Sequence, residues 1–334
     1  MPIYQLALRG ALHVGEAVSV DREMVHEWLP SDSLFAALVS AWASSGADVK
    51  ARLLGFAQGQ PPFRITSAFP WVGRVRFFPA PAALPDRLGL IGKEAKRVKW
   101  ISDTVFAQLR AGMLPEKKFL HDDTVWLTPE EHTRLSQAYL NDDGRVRLWQ
   151  TFVVPRVTVD RVTNASNLFH AGRVSFKSGD GLWFAARGAQ TEWITDALAQ
   201  LADTGLGGLR NYGHGAFERI PTDDELLDAP TMGAGISLAR YAPNDADEIR
   251  AALQQNGAAY RLVNVGGWCT DDAGRAWRRR SVRMVAEGAI IPDVTRAHGK
   301  LVAAQPENVP EFKTRPVYRY GIPFFVTAGE LMQH

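Results

Sequence analysis

Five glycines, an arginine, an amide side chain and two rings crowd the stretch Gly205-Leu-Gly-Gly-Leu-Arg-Asn-Tyr-Gly-His-Gly215, and the chemistry they suit is main-chain binding of an anion. Gly205, Gly207, Gly208, Gly213 and Gly215 carry no β-carbon, so successive amides can turn toward one phosphate and a ligand can come close to the backbone. Arg210 adds charge, Asn211 adds donors, and Tyr212 and His214 add rings. Nucleotide-cofactor loops of similar composition follow a strand and open a helix. Here the order is reversed. Trp193, Ile194, Ala197, Leu198 and Leu201 recur at helical spacing before the glycines, and a strand-like run, Ala216 to Ile220, follows them. Gly205 alone suffices to cap that helix, so the whole cluster points to ligand contact.

A second donor-rich stretch runs from Pro155 to His170. Arg156 and Arg161 suit phosphates, Asn164, Ser166 and Asn167 suit base edges or 2′-hydroxyls, and Phe169 can stack on a base. The same residues also fit a strand followed by an Asn/Ser turn. Basic clusters occur at Lys93, Lys96, Arg97 and Lys99 and again at Arg275, Arg278, Arg279, Arg280 and Arg283. Arginines on both faces of a strand are costly unless anions meet them, and RNA phosphates or a partner's carboxylates both qualify. The histidines His13, His26, His170 and His214 are scattered, and the paired acids sit in turn or helix-start contexts, so neither a catalytic site nor a metal site is expected.

The elements that position these residues can be read around them. Residues 3 to 9 alternate as a half-buried strand. Ser31 to Trp42 reads as a helix with Ser31 at its N-cap and Asp32 at the positive end of its dipole. Phe63 to Trp71 reads as a strand, and residues 73–158 as an insertion with helices near Ile101 to Ala111 and Pro129 to Asn141. Gly172 to Ala186 reads as a hairpin turning at Gly179-Asp-Gly181. The remaining order is β-α-β-β-α-β, a ferredoxin-like or RRM-like unit. Pro221 to Pro230 marks a boundary, after which strands at Gly235 to Tyr241, Ala259 to Trp268, Ala276 to Glu287 and Tyr318 to Val326 accompany a helix at Asp245 to Gln255. The expected class is α+β with two ferredoxin-like domains, residues 1–228 and 229–334, the first carrying the insertion.

With 334 residues, 46% hydrophobic and 22% charged, the chain has ordinary globular composition. A net charge of +2 with a pI near 8.7 permits a local basic face. The single cysteine, Cys269, excludes a disulfide framework and fits a cytoplasmic protein. No leader-like run and no membrane span are expected.

Three stretches together, Ser31-Asp-Ser-Leu-Phe-Ala-Ala-Leu38, Arg156 to Phe169 and Gly205 to Glu218, resemble RAMP subunits of type III-A (Csm) CRISPR effectors, the fourth subunit of that complex, in the Cas-five-like group. Gly266-Gly-Trp268, Met284-Val-Ala-Glu-Gly288 and Tyr318-Arg-Tyr-Gly321 extend the similarity through nearly the whole chain. The resemblance implies a non-catalytic subunit that holds the 5′ repeat-derived handle of the CRISPR RNA without a cofactor. It implies contacts with the large polymerase-cyclase subunit, a backbone RAMP subunit and target RNA near the handle, the last through a thumb-like hairpin. It also adds Ser31 and Asp32 to the expected RNA-facing set. Leu209 and Ala216 stand where basic residues are common in the family, which shifts weight onto Arg210 and the amides. The alternative is a metal-independent endoribonuclease that processes precursor CRISPR RNA, with His26 or His214 as base.

Overall fold

The computed structural model describes residues 1–19, 22–82, 97–159, 166–225, 229–271, 273–307, 309, 312 and 317–332. Its centre is the strand Ile3–Leu8, flanked antiparallel by Gly181–Gly188 and Phe217–Ile220. Gly181–Gly188 in turn pairs with Phe63–Ile65 and Phe69–Val72. The segment expected as an insertion continues this sheet through Val75–Pro79, Trp100–Ser102, Val125–Leu127 and Lys118–Leu120, giving nine strands among the described residues. The fold is thus mixed α/β around one large sheet.

The first strand differs from its expected half-buried pattern, because both faces of the sheet are covered. Tyr4, Leu6 and Leu8 enter one core, while Ile3 and Ala7 enter the other. On the first face lie the helices Ser31–Ser44 and Glu192–Thr204, tied by Trp42 Nε1 donating to the Trp193 carbonyl at 2.9 Å. On the second lies Asp103–Arg110, whose Phe106 stacks on Phe78 at 4.5 Å. Pro129–Ala138 starts with a reciprocal Thr128–Glu131 capping box. Residues from the C-terminal part enter both cores: Tyr320 and Ile322 join the first, Ile236, Phe324 and Val326 the second.

Several elements depart from the sequence expectation for local reasons. Ser166–Phe176 does not form a hairpin with Gly181–Gly188; it pairs along eleven residues with Trp149–Val159, and the chain then turns at Lys177–Asp180 into the large sheet. Beyond residue 229, the long strands are interrupted. Pro323 separates Tyr318–Gly321 from Phe325–Thr327, and Arg279-Arg280-Ser281 separates Ala276–Arg278 from Val282–Val285. The helix expected from Asp245 is a short turn at Ala246–Glu248 that widens into π turns over Ile249–Leu253. Among the described residues, no helix is long and apolar enough to cross a membrane.

One histidine gives the fold a pH dependence. His121 packs on Trp149 with ring centroids 4.4 Å apart, and its Nδ1 accepts from the Leu148 amide at 3.2 Å. Burial, followed by the Arg147 charge, pushes its pKa down to about 4. Above the ordinary histidine pKa, both the folded and unfolded forms are neutral and the stability is fully present. As the pH falls from about 6.5 toward 4, only the unfolded chain gains the proton, so stability declines. Denaturant titrations should show a loss of order 3 kcal/mol across that window, and the loss should shrink in His121→Gln.

Candidate nucleic-acid interface

The glycine loop begins where Glu192–Thr204 ends, with the Gly205 amide donating to the Leu201 carbonyl at 2.8 Å. From there the chain folds over residues 10–14, which leave the first strand. The Gly208 amide donates to the His13 carbonyl and the Gly215 amide to the Ala11 carbonyl, both at 2.8 Å. These contacts explain most of the glycines. A β-carbon on Gly207 would run into the His13 carbonyl, one on Gly215 into the Leu206 backbone, and one on Gly208 would lie 2.6 Å from the His13 ring. At these positions the room a β-carbon would take is occupied by the protein itself, by the His13 and Leu206 backbone and the His13 ring. Gly213 differs, since nothing lies within 4 Å of where its β-carbon would be.

The loop therefore offers its tip. Leu209 adopts a left-handed conformation with φ 55°, a position that costs a non-glycine residue about 1 kcal/mol or more. That twist launches the single turn Arg210–Tyr212 outward, and Arg210, Asn211, Tyr212 and Gly213 are exposed. A left-handed residue followed by a helical turn is the backbone arrangement that aims consecutive amides at one anion. In thermal melts Gly215→Ala should lower Tm by several degrees, whereas Gly213→Ala should cost only about 1 kcal/mol, through its positive φ of 78°. Equal losses would show that the packing against residues 10–14 is not what the glycines serve.

The second predicted stretch comes to the same place. The long ribbon places the Arg156 guanidinium over the Tyr212 ring, 4.3 Å from its centroid, a cation–π geometry. On the same ribbon face Arg173 lies over Phe152 at 5.6 Å, and Phe152 and Arg173 are cross-strand partners. His214, 5% exposed, sits among these charges: burial first, then Arg156, His13 and Arg173, hold its pKa below the ordinary value. It is thus neutral at pH 7, and its Nδ1 has no hydrogen-bond partner among the described residues. His13 Nδ1 donates to the Gly172 carbonyl at 2.6 Å, which fixes its tautomer and ties loop, first strand and ribbon together. His26 packs on Trp28 at 4.6 Å.

The other ribbon face has a different character. Val153, Val157 and Val159 alternate with the Arg156 side and are exposed, Val153 at 61%. Ser166 and His170 are exposed on this outer face as well. Asn167 and Phe169 are strand residues opposite Thr158 and Arg156, their side chains lying outside the described set. Arg161 and Asn164, like Lys93 and Lys96, lie outside the described residues.

Ser31 and Asp32, the first residues of the first helix, are buried and engaged with the C-terminal part. The helix starts at Ser31 after Pro30, so Ser31 is its first residue and not a side-chain cap. Ser31 Oγ accepts from the Arg240 amide at 3.0 Å, and its own amide donates to Ser67 Oγ. Asp32, 1% exposed, accepts from Arg240 Nη1 at 3.0 Å and Arg319 Nη1 at 2.8 Å. Ser67 Oγ in turn donates to Glu287 at 2.6 Å. These residues form a buried network between the first helix and the C-terminal part, and solvent does not reach it. Sequence reasoning also missed contributors, chiefly Arg173, Phe152 and the His13–Gly172 contact, because nothing local marks a strand residue as facing a distant loop.

Comparison with known proteins follows the same lines. Residues 233–328 match the CRISPR Csm4 C-terminal domain. The chain is 28% identical over 275 residues to the Csm4 protein of Thermococcus onnurineus (strain NA1), covering 78% of this chain and 81% of that one. It is 24% identical over 309 residues to Csm4 of Mycobacterium tuberculosis, covering 90% of each. A chain from the crystal structure of a Csm3-Csm4 subcomplex in the type III-A CRISPR-Cas interference complex shares the fold over 97% of both chains, with TM-score 0.63 and 15% identity. A chain from a Csm1-Csm4 cassette in complex with AMPPNP does so over 98% of both, with TM-score 0.56 and 18% identity. Domain match, relatives and fold agree with the resemblance read from the three motifs, and all three support a likeness to the Csm4 RAMP subunits of type III CRISPR systems.

Proposed function

We propose that this chain is an RNA-binding subunit of a type III CRISPR effector that grips the 5′ handle of the CRISPR RNA at the loop tip and ribbon, without cutting it. The observation that carries this reading is the junction of Arg156 with Tyr212, two motifs far apart in sequence that meet as a half-buried guanidinium over an exposed ring. Single-stranded RNA is recognised by such surfaces: guanidiniums meet phosphates, rings stack on bases, and backbone amides read shape. Arg161, Asn164, Asn167 and Phe169 are assigned to the same proposed surface by their place in the sequence, while Ser166 lies on the ribbon's opposite, valine-bearing face.

The order Phe217–Ile220, Ile3–Leu8, Gly181–Gly188, Phe63–Ile65, with two helices on one face, supports a ferredoxin-like N-terminal unit. We read residues 1–228 as that unit and 229–334 as the second. The Trp149–Phe176 ribbon serves as the thumb-like hairpin, its exposed valines suited to wedge against a base step at the edge of a duplex. Relatives solved with Csm1 and Csm3 support a place between the large polymerase-cyclase subunit and a backbone RAMP subunit.

Incubation with precursor repeat RNA in EDTA tests the reading. Stable binding with intact RNA is expected; specific cleavage would replace it with the endoribonuclease. Burial of His214 and the packing of His26 against Trp28 favour the first outcome, since a general base must reach the scissile 2′-hydroxyl.

A further inference from the structure

A second aromatic and cationic surface lies in the C-terminal part. Between Tyr260 and Arg283 the sequence holds six arginines, at 261, 275, 278, 279, 280 and 283, against two aspartates. Trp268–Thr270 and Ala276–Arg278 form a short hairpin in which Trp268 pairs with Arg278 and Thr270 with Ala276. Those four residues share one face, and all four are exposed, Trp268 at 65%. A solvent-facing tryptophan beside an arginine is an uncommon use of the largest apolar side chain.

The hairpin is built to hold that face still. At its tip Asp271 accepts from the Ala273 and Arg275 amides, from Arg275 Nε and from Trp277 Nε1, all at 2.8–3.0 Å. These donors, Trp277 foremost, hold its carboxyl down to about 2, so the tip stays locked across the physiological range. At its base the Gly267 carbonyl accepts from the Arg279 amide at 2.9 Å, and the Gly266 carbonyl from Arg319. Beneath lie Arg240, Arg279 and Arg319 with Asp32 and Glu287, a local excess of positive charge. Burial and the neighbouring Arg319 push the Arg279 pKa down, as expected where cations crowd.

We infer that the Trp268 hairpin is a second single-stranded RNA contact, with Trp268 as a stacking platform and Arg278 and Arg283 meeting the backbone. Positive excess selects a polyanion, and a fixed exposed ring stacks on any base, which makes the contact tolerant of sequence. It stands apart from the glycine-loop reading and does not depend on it.

The test uses the full chain and a short oligouridine carrying 4-thiouridine, which lacks the handle sequence. Trp268→Ala should weaken binding about tenfold, while Trp268→Phe should retain most of it. Arg278→Gln with Arg283→Gln should flatten the slope of log affinity against log salt by about 1.4. Thiouridine adducts should map to 260–283 and persist in an Arg156→Ala, Arg210→Ala variant; adducts lost from the loop alone would count only against the handle site. The inference is overturned if Trp268→Ala binds oligouridine as the parent does and no adduct falls in 260–283. It is equally overturned if the large subunit alone protects these residues from hydrogen exchange while oligouridine affinity is unchanged by the variant, which would make the face a protein interface.

Discussion

Replacing Arg156 and Arg210 together with alanine should weaken binding of handle RNA on the order of 100-fold at moderate salt, each lost charge-assisted contact costing about 1.5 kcal/mol. The loss should be salt-dependent. If both guanidiniums meet phosphates, the slope of log affinity against log salt flattens by about 1.4, because fewer counterions return to the strand. Tyr212→Ala gives a distinguishing control. It removes the ring under Arg156 and a stacking surface, so affinity should fall while the slope changes little. The thermal stability of both variants should stay near the parent's, since Arg210 and Tyr212 lie at an exposed tip and Arg156 is only half-buried. Substitutions at Gly207 or Gly208 are poor probes of binding, because both glycines seat the loop against His13 and their loss would disturb the loop itself.

The largest effect on stability is expected at Asp32. Asp32→Ala leaves Arg240 and Arg319, both less than a tenth exposed, facing each other with their shared carboxylate gone. Removing one partner of a buried ion network costs about 3–5 kcal/mol, far more than an exposed pair, because the remaining charges stay desolvated. Denaturant unfolding should therefore shift strongly, and Asp32→Asn should recover only part of the loss, since an amide accepts a hydrogen bond but carries no charge. The network spans the first helix and the C-terminal part, so the variant should also expose the Tyr320 environment to proteolysis before global unfolding. RNA binding measured at low temperature, where the fold persists, should be close to the parent's. A large loss of RNA affinity with unchanged stability would return Asp32 to the RNA-facing set.

Asp32 also shows what a sequence can and cannot convey. An acidic residue at a helix start looks the same whether it faces the helix dipole or two arginines contributed from the other end of the chain. The motif was visible, and its partner was not. The glycine loop shows the same division. Its place after an amphipathic helix and before a strand was legible, because period and cap signals are local. The reason for its glycines was not, since residues 10–14 that fill the space beside them carry no signal of their own. The Arg156 stretch was readable as donor-rich strand, yet its long pairing with Ser166–Phe176 replaced an expected hairpin at Gly179. That exchange is a register and partner choice, which alternation alone does not determine. In the C-terminal part the strands expected at Ala276 to Glu287 and Tyr318 to Val326 are read as too continuous, because Arg279-Arg280-Ser281 and a proline break pairing without breaking the hydrophobic pattern, and the strands Ile290–Ile291 and Lys300–Ala303 go unread.

The central claim is that one RNA strand touches the loop tip and the ribbon together. Crosslinking the intact chain to handle RNA with photoreactive bases, followed by mapping of the adducts, tests it most directly. Adducts should appear both within 210–213 and on the 149–176 ribbon, from neighbouring nucleotides, and both sets should fade together in the Arg156→Ala, Arg210→Ala variant. Adducts on neither segment, or adducts that survive that double substitution unchanged, would contradict it.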